Sequence, residues 1–228
     1  MRIAVISDIH GNLPALEAVA ADVQTFEPDE IWCAGDIGFM GPWATDCIAR
    51  VRDEGWTTVK GNTDVWITGD PQNVEDPGQR ARFEELARAH AISSADAQWL
   101  LNLPIGHSGR GSVLMVHGTP ESPFIAPLPD APPSEYEPYG GEASLVVFGH
   151  VHIAFTRRLT DGTVVCNPGS VGLPMDGATA SYVLIDQEGP NWTLRHRRVA
   201  FDRGRVIAAA RAAGDPIESA FLGFFGTE

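Results

Sequence analysis

Four consecutive apolar residues, Ile3-Ala4-Val5-Ile6, run into the polar turn Asp8-Ile9-His10. A short, continuous, β-branched run of this kind reads as a buried strand. Leu13, Leu16, Val19, Ala20 and Val23 then fall on one helical face, with Pro14 placed for a first turn. Ile31-Trp32-Cys33 reads as a second strand, residues 44–54 as a helix, and Thr57-Thr58-Val59 as a third strand. This alternation predicts an α/β fold, a sheet covered by helices.

Residues 79–102 change character and predict two helices broken near Ser93-Ser94. Strands dominate after that, at Ser112–Val116, Leu145–Phe148, Ile153–Arg158, Thr163–Cys166, Ser181–Ile185 and Trp192–Val199. Helical pattern resumes at Arg203–Ala213, and Phe221, Leu222, Phe224 and Phe225 make the tail greasy. We expect one domain over 1–228, with the helix and tail 203–228 either packing on it or forming a contact between copies. Residues 118–142 are rich in Pro and Gly and lack periodicity, as a functional loop often does. Phe124, Tyr136 and Tyr139 in it could stack on a base, and a solvent-covered loop is the alternative.

The composition narrows the partners. A net charge of −14 is a poor footprint for gripping long nucleic acid. Arg195, Arg197 and Arg198 therefore read as exposed strand positions. No apolar run approaches the roughly 18 residues of a membrane span. Three scattered cysteines and no signal-peptide pattern fit a cytoplasmic setting.

Reactive side chains collect where the strands end. Asp8 and His10 follow the first, Gly35-Asp36 the second, and Gly61-Asn62-Thr63-Asp64 the third; His117-Gly118 and Gly149-His150-Val151-His152 follow later ones. Ligands of open α/β sheets bind beyond the carboxyl ends of strands, so these five segments should share one rim. Asp-x-His and His-x-His place both side chains on one side of an extended backbone. Carboxylate and amide oxygens mixed with imidazole suit Mn²⁺, Fe²⁺ or Zn²⁺. Four of the seven histidines lie in these turns; His90, His107 and His196 do not. Any one such turn is commonplace, and the force lies in five of them in order.

The series resembles the calcineurin-like metallophosphoesterase superfamily, in particular its compact bacterial and archaeal phosphodiesterase branch. Asn167-Pro168-Gly169-Ser170-Val171-Gly172 is a turn similar to one in that branch. The resemblance implies a four-layer αββα sandwich of two mixed sheets flanked by helices. It implies one metal ion on Asp8, His10, Asp36 and His152, and a second on Asp36, Asn62, His117 and His150. Asp36 would bridge them, and Asp36, Asn62 and His117 would carry the catalytic role. Mn²⁺ is the expected metal, with Fe, Zn, Ni or Mg as alternatives. A hydroxide bridging the ions would attack phosphorus in line. Asp64 would tether the turn that presents Asn62.

The chain departs from the family pattern at two places, covering three residues. Thr63 stands where many members carry a His that acts as general acid or binds phosphate, and Thr cannot supply a proton near neutral pH as imidazole can. Phe39 and Met40 stand where the protein-phosphatase branch has Asp-Arg. Thr63 and Phe39 become candidate substrate contacts. The expectation is a phosphodiesterase acting on small or nucleotide diesters. A phosphomonoesterase, a dinucleoside polyphosphate hydrolase, a nuclease and a non-catalytic scaffold are the alternatives. A homo-oligomer is compatible with the tail.

Overall fold

Side chains alternate between two faces along each strand, and both faces here are apolar. That pattern needs a layer on each side. In the computed structural model, which describes residues 1–189 and 191–227, two five-stranded mixed sheets supply it. The first sheet runs β10-β9-β1-β2-β3, made of β1 (Arg2–Ile6), β2 (Glu30–Cys33), β3 (Thr57–Thr58), β9 (Ala180–Glu188) and β10 (Asn191–Val199). Its members β1, β2 and β3 are parallel. The second runs β4-β5-β6-β8-β7, made of β4 (Gly106–Gly109), β5 (Val113–Val116), β6 (Leu145–Phe148), β7 (Ala154–Arg158) and β8 (Val164–Pro168). Here β5, β6 and β8 are parallel.

Ile3, Val5 and Trp32 of the first sheet meet Met115, Leu145 and Val147 of the second in a dry interior. The alternate residues Ala4 and Ile6 face outward and are covered by helices α1 (Leu13–Gln24), α2 (Ala44–Asp53), α4 (Pro77–His90), α5 (Ser94–Leu101), α6 (Arg203–Ala213) and α7 (Ile217–Phe225). A short helix α3 (Asn62–Trp66) follows β3 directly. The layer over the second sheet is thinner. Val116, Val146 and Phe148 are covered by Tyr136 and Tyr139 of a 3₁₀ helix at Pro133–Tyr139, inside the Pro-rich segment.

Local chemistry sets the helix ends. Asn12 caps α1, its side-chain oxygen accepting from the Ala15 N–H at 3.2 Å. The break between α4 and α5 comes from Ala91 in the left-handed region and Ser93, whose hydroxyl caps α5. The greasy tail forms α7, with Phe221 and Phe225 buried against the helical layer and Phe224 exposed. Arg195 and Arg197 pair with Asp186 and Asp22 at 2.6 and 3.0 Å, and Arg198 pairs with Asp176, so each of these cations already has a carboxylate. Among the described residues no helix is long and apolar enough to cross a membrane.

His90, at the end of α4, is a core residue. Its Nε2 accepts from the Met40 N–H at 3.2 Å, and burial pulls its pKa down to about 4. The unfolded chain takes up this proton near pH 6.5, which the native state refuses. The group's stabilisation is therefore present above about pH 6.5 and is lost as pH falls to 4, by about 3 kcal/mol. His90→Gln keeps an acceptor and does not titrate. Urea unfolding at pH 7 and pH 4 should show the wild type losing more stability than this variant.

Candidate metal centre

The parallel strands of both sheets end at one rim, and the turns beyond them carry every predicted ligand. Asp8 and His10 follow β1, Asp36 follows β2, Asn62 opens α3 after β3, His117 follows β5, and His150 and His152 follow β6. All are buried except His150 and His152, which are partly exposed. Asp8, His10, Asp36, His150 and His152 all have φ between 47° and 71°. That left-handed region costs a non-glycine residue about 1 kcal/mol or more. Half of the non-glycine residues with positive φ among the described residues are thus candidate ligands.

Two four-donor clusters result. In the first, His10 Nε2 and His152 Nε2 are 3.1 Å apart. His152 Nε2 is 3.3 Å from Asp8 Oδ1, and His10 Nε2 is 3.6 Å from Asp36 Oδ2. All four donors lie within 4.8 Å of one another. In the second, Asn62 Oδ1 lies 3.0 Å from His117 Nε2 and 2.9 Å from His150 Nδ1. His117 Nε2 lies 3.3 Å from His150 Nδ1 and 3.4 Å from Asp36 Oδ2. Asp36 Oδ2 belongs to both.

These donors fit a cation by a test internal to the structure. His10, His117 and His152 each turn Nδ1 to a backbone carbonyl, of Phe39, Ala34 and Leu173, at 3.0, 2.7 and 2.8 Å. A carbonyl only accepts, so Nδ1 holds the proton and a neutral ring aims its Nε2 lone pair inward. Lone pairs then face lone pairs at about hydrogen-bond distance, which repels unless a positive charge lies between. Ligands about 2.1 Å from an ion in a tetrahedral shell sit about 3.4 Å apart, close to the spacings found.

A polar frame holds the donors. Asp64 accepts from the backbone N–H groups of Asp36, Ile37 and Gly61 at 2.9, 2.9 and 2.8 Å. It therefore ties the Asp36 turn to the Asn62 turn. Thr63 N–H donates to Asp36 Oδ1 at 2.9 Å, which leaves Oδ2 as the shared donor. Two glycines let these turns touch: a Cβ on Gly61 would run into the Asp36 carboxylate, and one on Gly149 would meet Asp8 Oδ2 at 3.0 Å and His117 Nδ1 at 3.1 Å.

The 167–172 turn has a role that spacing alone does not reveal. Asn167 Nδ2 donates to the Gly149 carbonyl at 2.6 Å, and Ser170 Oγ to the Asp8 carbonyl at 2.7 Å. The N–H groups of Val171 and Gly172 donate to Ser7 and Asp8 at 3.0 and 2.9 Å. This turn clamps the β1 end to the His150-Val151-His152 loop. Asn12 joins it, donating to the Gly172 carbonyl at 2.9 Å. A polar motif placed after a strand was the available signal for Asn167 and Ser170.

Three expected substrate contacts are corrected. Phe39 has no exposed surface and packs edge-on against Trp66, Phe83 and His90, so its ring belongs to the core. Tyr136 and Tyr139 are buried on the far face of the second sheet, their hydroxyls donating to the Leu128 and Gly118 carbonyls at 2.7 and 3.0 Å. They offer no face to a base. Phe124 is different: it lines a cleft of about 490 Å³ with Asn62, Trp66 and His150. Thr63 is buried, and its hydroxyl has no hydrogen-bond partner among the described residues.

Electrostatics reflect the crowding. Burial pulls Asp36 upward, but His117 and then His10 and His150 outweigh it and hold the carboxyl well below its usual range. Burial opposes charge on His117, yet Asp36 and Asp8 raise its pKa to about 9. His152 is also raised, by Asp8 against burial. Burial and neighbouring cationic histidines lower His10 and bring His150 to about 4. Burial and the neighbouring carboxylates thus shift the two imidazoles of each cluster in opposite directions. Asp64 is pushed up to about 6 by burial and by the charge of Asp36, against its three N–H donors.

The family model described as the calcineurin-like phosphoesterase superfamily domain matches residues 1–189. An uncharacterized protein of Methanocaldococcus jannaschii is 31% identical over 220 residues, 88% of each chain. The crystal structure of a metallophosphoesterase from Sphaerobacter thermophilus superimposes with a TM-score of 0.79 at 27% identity, covering 100% of both chains. A hypothetical protein of Pyrococcus horikoshii has the same fold, with a TM-score of 0.78 at 20% identity over 100% of this chain and 99% of that one.

Two outcomes test the site. Asp64→Ala leaves three buried N–H groups without an acceptor, so urea unfolding of the metal-free protein should show a loss of about 3 kcal/mol. Loading with Mn²⁺ at pH 7 must expel the proton on His117 and, as His152 is also raised, up to one more. Calorimetric titration in buffers of different ionisation enthalpy should therefore register proton release at pH 7, fading as pH rises past about 9.

Proposed function

The chain belongs to the calcineurin-like phosphoesterase superfamily, dinuclear metal-dependent hydrolases of phosphoesters, and within it we propose a phosphodiesterase acting on small phosphodiesters. One observation carries the reading: two four-donor clusters share Asp36 Oδ2, and the second borders, through Asn62 and His150, a cleft without a lysine or arginine in its lining. Asp8, His10, Asp36 and His152 would hold one ion, and Asp36, Asn62, His117 and His150 the other. The nitrogen and oxygen mixture suits Mn²⁺ first, with Fe, Zn, Ni or Mg as alternatives. Ions so held supply Lewis-acid polarisation of phosphoryl oxygens and a water of lowered pKa.

The chain's own residues then set what is accepted. Asp36 places its Oδ2 between the two clusters because Thr63 N–H fixes its other oxygen. Asn62 and His150 border the cleft and would orient the ester against the second cluster. A phosphomonoester dianion is gripped best by fixed cations, and this cleft offers none. A diester carries one negative charge and needs less of that grip. Thr63 occupies the place from which an imidazole could protonate a departing alkoxide, and a hydroxyl cannot do this near neutral pH. Esters of acidic alcohols should therefore react fastest.

With Mn²⁺, bis-p-nitrophenyl phosphate should be hydrolysed with kcat/KM at least about tenfold above p-nitrophenyl phosphate. A preference for the monoester, or for a phosphopeptide, would contradict the reading. Asp36→Ala removes the donor common to both clusters and should lower kcat on the order of a thousandfold. A fully active variant would remove the shared role.

A further inference from the structure

The cleft beside the second cluster has its own chemistry. It begins at Asn62 and His150. One turn along α3 from Asn62, the Trp66 indole forms part of its wall; Phe83 stacks at 4.8 Å between ring centroids, and the indole N–H is committed to the Gln72 carbonyl at 3.0 Å. Phe124, seven residues after His117, supplies a second aromatic surface. Glu75 and Asp76 line the same cleft, both exposed, and the remaining polar lining includes the uncharged amides of Asn73 and Gln79.

Away from Asn62 and His150, the lining offers no cationic side chain to an anionic group. The start of α4 lies in the lining, but the Asp76 carboxylate already accepts from the Gln79 N–H at 2.7 Å, so that helix end is capped by the chain itself. Arg80, on the same turn, hydrogen-bonds the Val74 carbonyl at 2.9 Å and does not line the cleft. Carboxylates next to aromatic faces are the chemistry that holds an organic cation. A volume of about 490 Å³ admits many alcohols, so charge rather than size is the selective property.

Resting on the phosphodiesterase reading, we propose that this cleft is the subsite for one alcohol of the diester, and that it selects an alcohol bearing a positive charge, an amino or quaternary-ammonium alcohol. Such a substrate is zwitterionic. Its phosphate faces the metal ligands while its cation lies among Glu75, Asp76, Trp66 and Phe124. Nucleosides and polyphosphates lack that complement.

The test compares diesters of p-nitrophenol that differ only in the second alcohol. With the Mn²⁺-loaded full chain, p-nitrophenyl phosphorylcholine should exceed its uncharged carbon isostere, p-nitrophenyl 3,3-dimethylbutyl phosphate, by about tenfold in kcat/KM. The difference should lie mainly in KM and shrink with added salt. In Glu75→Gln/Asp76→Asn, in which Asn keeps the helix cap, the ratio of the two substrates should fall toward one. Equal rates in the wild type, or a higher rate for thymidine 5′-p-nitrophenyl phosphate, would overturn the cationic subsite and leave the phosphodiesterase reading standing. No turnover of any diester, with p-nitrophenyl phosphate cleaved, would overturn both.

Discussion

Facing lone pairs are the constraint on which the site depends. His10 and His152 aim Nε2 atoms at each other across 3.1 Å, and His117 and His150 bring ring nitrogens within 3.3 Å beside Asn62 Oδ1. Three of these rings cannot rotate away without giving up a backbone carbonyl. Positive charge must therefore reside between them. Asp36 and Asp8 favour the protonated forms of His117 and His152, which would supply that charge in the metal-free chain, and bound divalent ions would replace those protons. The Asp36 carboxylate lies between the clusters and lowers the repulsion that two neighbouring ions would feel.

The surrounding fold resists that internal repulsion. Asp64 gathers three N–H groups from two turns, and the 167–172 turn fastens β1 to the loop after β6 across more than a hundred residues of sequence. Five of the candidate ligands sit in left-handed backbone, a conformation that the turns retain because these hydrogen bonds fix them on both sides. The two sheets contribute by ending their parallel strands on one edge. Loss of one frame residue should thus be felt at donors it never touches.

Much of this was legible in the sequence for a physical reason. Strand ends are marked by a switch from apolar run to polar turn, so Asp8, Asp36, Asn62, His117 and His150 could be placed on one rim from the strand order alone. The Asp-x-His and His-x-His spacing added His10 and His152, although these turns are left-handed rather than the extended backbone that the spacing argument assumes. The residue pattern gave a sheet covered by helices; the four layers came with the family resemblance, and strands apolar on both faces are their physical reason. What escaped depends on tertiary neighbours. The Gly-His-Ser-Gly strand β4 has little β propensity of its own and forms by pairing with β5. Prolines hide the 3₁₀ helix in the 118–142 segment. Phe39 lies next to the ligand turns in sequence, yet its ring points into the core, and adjacency alone carries no direction. The acidic lining of the cleft joins α3, the start of α4 and Phe124, a juxtaposition no spacing rule encodes.

The central claim is that one carboxylate oxygen serves two ions. Electron paramagnetic resonance of the chain loaded with Mn²⁺ reads this directly. Two ions sharing Asp36 Oδ2 should give an exchange-coupled signal once loading passes one ion per chain, and Asp36→Ala should abolish it. Saturation at a single ion, or two ions with only isolated six-line spectra, would contradict the account.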